Sequence, residues 1–95
     1  MVDLFLFSEN CVMAYIYILY SSSLDKYYIG HTSMSVEERL AKHLQKHKGF
    51  TSTANDWKIA YIEEFANKSD AYARERQIKS WKSKEKIRTL IEMSD

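Results

Sequence analysis

Tyr15-Ile16-Tyr17-Ile18-Leu19-Tyr20 and Tyr27-Tyr28-Ile29-Gly30 flank the polar linker Ser21-Ser22-Ser23-Leu24-Asp25-Lys26. Both flanks are rich in β-branched and aromatic residues, so the stretch reads as a β-hairpin. The linker is longer than the tightest hairpin turns and contains no Asn-Gly or Asp-Gly, so its turn type stays open. Symmetric pairing about it sets Tyr20 opposite Tyr27 and Tyr17 opposite Gly30. Side chains alternate with period two, so Tyr17 and Tyr28 then share a face. Gly30 leaves an empty side-chain position across from the Tyr17 ring.

Around this hairpin, 95 residues make one domain. A chain of this size buries only about 60–65% of its unfolded surface, so its core is thin. With 45% hydrophobic and 28% charged residues the chain is an ordinary globular protein. A net charge of +1 means that any basic surface has to come from local clustering. The single cysteine, Cys11, excludes an intrachain disulfide framework and a four-cysteine zinc site, and it fits a reduced, cytoplasmic protein. The apolar run from Cys11 to Tyr20 is far short of the ~20 residues needed to span a membrane. Asp3 and Glu9, with no basic segment before them, argue against a signal peptide. Residues 1–12 fit the rest poorly. They read as an N-terminal extension to a domain over 13–95, or Met13 is the natural start.

Beyond the hairpin, His31 to Met34 reads as a loop. Ser35-Val36-Glu37-Glu38 is a capping box that starts a helix. Val36, Leu40, Ala41 and Leu44 form its apolar stripe, and Gly49 suits its end. Trp57 to Phe65 reads as a third strand. Trp57, Ile59 and Tyr61 lie on one face and Ala60 and Ile62 on the other, as in a strand covered on both sides. Asn67 or Ser69 caps a second helix to about Trp81. Ser83 starts a third, to about Ile91, with Ile87, Leu90 and Ile91 inward. The order β-β-α-β-α-α predicts an α+β fold: a three-stranded, antiparallel-type sheet packed by helices.

Several polar residues fall where chemistry could use them. Glu75 shares a helical stripe with Ala71 and Ile78. A carboxylate there is costly unless paired or metal-bound, so it reads as an ion pair with a neighbouring Arg or Lys, or as a ligand. Arg39 and His43, four residues apart, share one helix face. The guanidinium fork matches phosphate oxygens, and imidazole shuttles protons near neutral pH; the plain alternative is a solvated face. Tyr17 is a poor base unless a cation lowers its pKa, and seven tyrosines in a β-rich core can equally serve as anchors. His43 and His47 have a zinc-helix spacing, but with His31 and Cys11 they leave no fourth ligand at a fixed offset. Lys42, Lys46, Arg74, Lys79 and Lys82 are candidates for a phosphate-tracking surface, within a basic run from Arg74 to Arg88 that is also what a solvated helix face looks like.

The hairpin segment resembles the signature of the GIY-YIG nuclease family. Its two tripeptides correspond to Tyr15-Ile16-Tyr17 and Tyr28-Ile29-Gly30, separated by residues 18 to 27, with Tyr15 standing in place of glycine. Arg39 and His43 match the family's arginine and the histidine or tyrosine four residues on. Arg74 to Lys79 is similar to the family's helix segment, whose glutamate holds a single divalent metal. The resemblance therefore implies Glu75 as metal ligand, Mg2+ or Mn2+ as the ion, and Tyr17, Tyr28, Arg39, His43 and Glu75 as catalytic residues, with Gly30 a structural part of the motif. It implies that Tyr17 takes the proton of the attacking water, assisted by Tyr28 and His43. Many members carry an asparagine near the C-terminus. This chain has none after Asn67, and Ser83 is the side chain that could fill the place.

The implied function is a divalent-metal-dependent DNA endonuclease, structure-specific and acting in repair or recombination, with DNA as partner and a protein partner to add specificity. The alternative is a non-catalytic nucleic-acid- or partner-binding module on the same scaffold. A purely structural domain would lack salt-sensitive DNA affinity.

Overall fold

The computed structural model describes residues 13–45 and 53–94. Residues 1–12, Cys11 included, and Lys46, His47 and Gly49 lie outside them. Strands β1 (Ala14–Ser21) and β2 (Lys26–Thr32) form the hairpin, followed by helix α1 (Val36–Leu44), strand β3 (Trp57–Phe65) and helices α2 (Lys68–Trp81) and α3 (Lys84–Met93). The sheet is antiparallel in the order β2-β1-β3. The fold is the expected α+β arrangement.

β1 is central, and its composition explains why. Ile16, Tyr17, Ile18 and Leu19 are each at most 1% exposed, so apolar residues fill both of its faces. Each such side chain contributes about 1.5–3 kcal/mol by its burial. One face carries Ala14, Ile16, Ile18 and Ile29 against Ala71, Ile78 and Ile87 of α2 and α3. The other carries Tyr17 and Leu19 with Val36 of α1 and Trp57. Tyr17 pairs with Gly30 and Tyr20 with Tyr27, the register that symmetry about the linker predicts.

Four expectations change. His31 and Thr32 belong to β2 rather than to a loop. β3 is an edge strand: only Trp57 is buried, and Ile62 is 42% exposed, so covering on both sides holds for β1 instead. A bulge opposite Ile18 and Leu19 skips Ala60 in the ladder. It leaves Ile59 with the Tyr17 cluster and turns Tyr61 to the opposite face, with Ile18, so the simple alternation along β3 fails. In α1, Ala41 and Leu44 are exposed, while His43 is buried beside Val36. The helix is rotated to bring two polar residues, Arg39 and His43, toward the sheet.

Caps set the helix ends. Ser35, Asn67 and Ser83 each accept from the amide three residues on, as expected of N-caps. Lys82 ends α2 in the left-handed region at φ 49°, which separates α2 from α3. Ser83 is committed to capping Lys86 N.

The linker between β1 and β2 is held from outside. Ser21 Oγ donates to Asp56 Oδ1 at 2.6 Å, Ser22 Oγ donates to Oδ2 at 3.3 Å, and the Ser23 amide donates to Oδ2 at 2.9 Å. These bonds lower the Asp56 pKa to about 2. A folded-state pKa below the unfolded value means that the stabilisation is present above the unfolded value near ~3.9 and is lost as pH falls through about 2. Asp56→Ala should therefore lower the urea midpoint at pH 7, and the gap to wild type should narrow as the pH is lowered from 5 toward 2.

Candidate active site

The site gathers around β2, one of the two edge strands of the sheet. On the α1 face, Gly30 gives the Tyr17 ring room to lie across the neighbouring strand. A Cβ at position 30 would stand 2.5 Å from the Tyr17 hydroxyl oxygen and 2.7 Å from Cζ. That hydroxyl is hydrogen-bonded to His43 Nε2 at 2.9 Å. Tyr28 completes the cluster, its ring 6.3 Å from that of Tyr17 and edge-on to His43 at 4.8 Å. Gly30→Ala should cost about 1–3 kcal/mol in urea denaturation, because Tyr17 is 1% exposed and has nowhere to retreat.

Arg39, one turn before His43 on α1, lies close enough to Tyr17 to pull its pKa down, yet burial and the neighbouring Tyr28 and Glu75 leave the phenol above its ordinary value. The expectation that a cation lowers Tyr17 is thus outweighed here by desolvation. The Arg39 Nε is buried and has no hydrogen-bond partner among the described residues. A buried, unpaired donor of a permanent cation calls for an anion.

On the opposite face, α2 packs on β2 and points Glu75 inward, 7% exposed. Its Oε1 meets His31 Nδ1 at 2.5 Å and its Oε2 meets Lys79 Nζ at 2.6 Å. A carboxylate offers about four lone-pair sites. His31 and Lys79 engage one on each oxygen, which leaves room for a cation. Among the described residues no group of three or more His, Cys, Asp or Glu could hold a metal. A single carboxylate nevertheless suits magnesium, which keeps most of its water and completes its shell with phosphate oxygens.

His31 is the residue that sequence reading missed in this role. Strand alternation from Ile29 carries the signal, since it sends position 31 to the α2 face once β2 is extended to Thr32.

The basic candidates divide. Arg74 turns to β3, where its Nε donates to Glu63 at 3.0 Å and its guanidinium sits 5.8 Å from the Trp81 ring centre. Trp81 itself packs against the α2–α3 core. Lys42 is exposed on α1. Lys79 and Lys82 line, with Lys26 and Lys84, a groove between β2 and the α2–α3 corner. Lys84 is also tied to Asp25. Ser83 lines that groove too, but as a helix cap.

A sheet edge bearing a phenol–imidazole pair and a guanidinium whose buried Nε has no partner among the described residues is equipped to hold an anion, with a buried acid on the other face. Residues 13–88 match the family model of the GIY-YIG catalytic domain, a nuclease-type domain. The chain belongs to the GIY-YIG family. Neither a curated protein nor a solved structure gives a significant match. Among the described residues no helix is long and apolar enough to cross a membrane.

Proposed function

We propose that the protein is an endonuclease that hydrolyses a phosphodiester bond of DNA with one divalent ion, Mg2+ or Mn2+, at the β2 edge. The observation that carries this reading is the buried Nε of Arg39, without a hydrogen-bond partner among the described residues, beside the Tyr17–His43 hydrogen bond. A phosphate oxygen satisfies that donor, and its phosphorus then stands next to a phenol poised to exchange a proton.

The residues divide the work. Tyr17 keeps its proton at neutral pH, because burial raises its pKa, and donates it to His43 Nε2 when the imidazole is in the Nδ1–H tautomer. As the attacking water gives up a proton to the Tyr17 oxygen, the phenol proton passes to His43, so no free phenolate is needed. Tyr28 packs against both rings and fixes their geometry. Arg39 stabilises the charge that grows on the non-bridging oxygens. Glu75 would hold the ion, and Lys79, half in solvent beside it, is placed to meet phosphate. The bound ion supplies Lewis-acid stabilisation of the departing 3′ oxygen. Tyr15, where the family pattern has glycine, packs beside the Tyr17 cluster and does not displace it.

The substrate we propose is DNA with a local departure from duplex, such as a flap or branch, of the kind handled in repair and recombination. Four lysines, Lys26, Lys79, Lys82 and Lys84, gather at one groove, which suits a local feature better than a long helical track. We place the protein in the cytoplasm, with a protein partner adding specificity. The test is a panel of duplex, nicked, flap, branched and single-stranded DNAs with Mg2+. Cleavage confined to the branched or flap substrates is expected. Salt-sensitive binding with no cleavage of any substrate would make the domain a binding module instead.

A further inference from the structure

We infer that His31 is a second protein ligand: its Nδ1 joins Glu75 Oε1 on a single divalent ion, and this nitrogen biases the site toward manganese over magnesium. The inference rests on the assignment of Glu75 as metal ligand and adds to it a donor that changes which ion is preferred.

Nδ1 of His31 and Oε1 of Glu75 come from a strand and a helix 44 residues apart, yet converge to 2.5 Å. In the tautomer protonated at Nδ1 the imidazole donates to the carboxylate, so both atoms aim at one point between them. Metal–ligand bonds of about 2.1 Å at a right angle set two donors about 3.0 Å apart. A divalent ion fits between them in place of that hydrogen bond once the side chains part by about half an ångström. The fold holds both donors in place for this. The His31 backbone is paired with Ile16 in the sheet, and its ring is flanked by Tyr72 at 5.0 Å. Glu75 is fixed in the middle of α2. The His31 side chain is 25% exposed, so water and an ion can reach Nδ1, and Lys79, at 51% exposed, can withdraw its charge into solvent.

The donor set then decides selectivity. Oxygen donors alone suit magnesium, which sheds water reluctantly, whereas an imidazole nitrogen favours the transition metal. A residue that merely oriented Glu75 by a hydrogen bond would support both ions alike.

The test reads the metal directly. The protein is loaded with Mn2+ and its electron spin echo modulation is recorded for wild type, His31→Gln and Glu75→Gln, with Mn2+ and Mg2+ affinities measured by calorimetry and folding checked by circular dichroism. Wild type should show modulation from a coordinated nitrogen. His31→Gln should lose it and bind Mn2+ about tenfold more weakly, with Mg2+ affinity changed much less. Glu75-dependent Mn2+ binding whose nitrogen modulation is absent, or unchanged in His31→Gln, would overturn the inference and leave Glu75 as the ligand. Equal losses for the two ions in His31→Gln would reduce His31 to a positioning residue. Mn2+ binding unaffected by Glu75→Gln would overturn the inference and the Glu75 assignment together.

Discussion

Glu75→Gln should abolish DNA cleavage, by about 10³-fold or more, while the protein stays folded. The size follows from what the carboxylate is asked to do: a Lewis acid at a departing oxygen is worth several kcal/mol, and about 4 kcal/mol is three orders of magnitude. The fold survives because Glu75 is not the sole partner of a deeply buried cation. Lys79 is half in solvent and His31 a quarter, so both can turn to water when the acid is neutralised. The stability change should stay within about 1 kcal/mol, as for other solvent-reachable ion pairs. A urea melt and a nicking assay on the same preparation separate the two effects. Wild-type rates in Glu75→Gln would remove the metal assignment.

Arg39→Ala should slow cleavage by about 10²–10³-fold, the usual cost of losing one preorganised donor at a developing charge. It should not destabilise the protein by a comparable amount. The Nε that it removes has no partner among the described residues, and the Tyr17 hydroxyl that loses its Arg39 bond keeps His43 Nε2. Arg39→Lys should fail to restore the rate, because an ammonium lacks the planar fork that spans two phosphate oxygens. With a short substrate, single-turnover rates distinguish this from weakened DNA binding. A defect confined to affinity would make Arg39 a docking residue.

These two residues also show how far the chain can be read without coordinates. The hairpin register was legible because aromatic and β-branched flanks of similar length leave little freedom about the linker, and Tyr17 opposite Gly30 follows from that alone. Glu75 was legible because a carboxylate on the Ala71–Ile78 stripe is expensive, and its burial between two partners is the structural answer to that cost. Periodicity misplaced the inward face of α1 for a related reason. The helix turns Arg39 and His43 toward the sheet and leaves Ala41 and Leu44 in water. An apolar-stripe reading has no term for polar residues that the site requires inside. Tyr61 was misplaced because one bulge reverses the alternation along β3, and nothing in Trp57 to Phe65 marks it, since Ala60 is neither glycine nor proline. His31 was passed over because a histidine next to a glycine looks like a loop residue until two more residues of β2 are counted. The raised pKa of Tyr17 depends on burial from several elements at once, which no single segment reveals.

The account stands on ion-dependent bond cleavage at the β2 edge, and the direct measurement is removal and return of the ion. Purified protein is stripped with a chelator, dialysed, and given a flap-containing DNA before and after Mg2+ is restored. The account predicts no product without the ion, prompt nicking on its return, and silence from Glu75→Gln under both conditions. Cleavage that persists in the stripped protein, or that never begins in a folded, DNA-binding wild type supplied with Mg2+ or Mn2+, would contradict it.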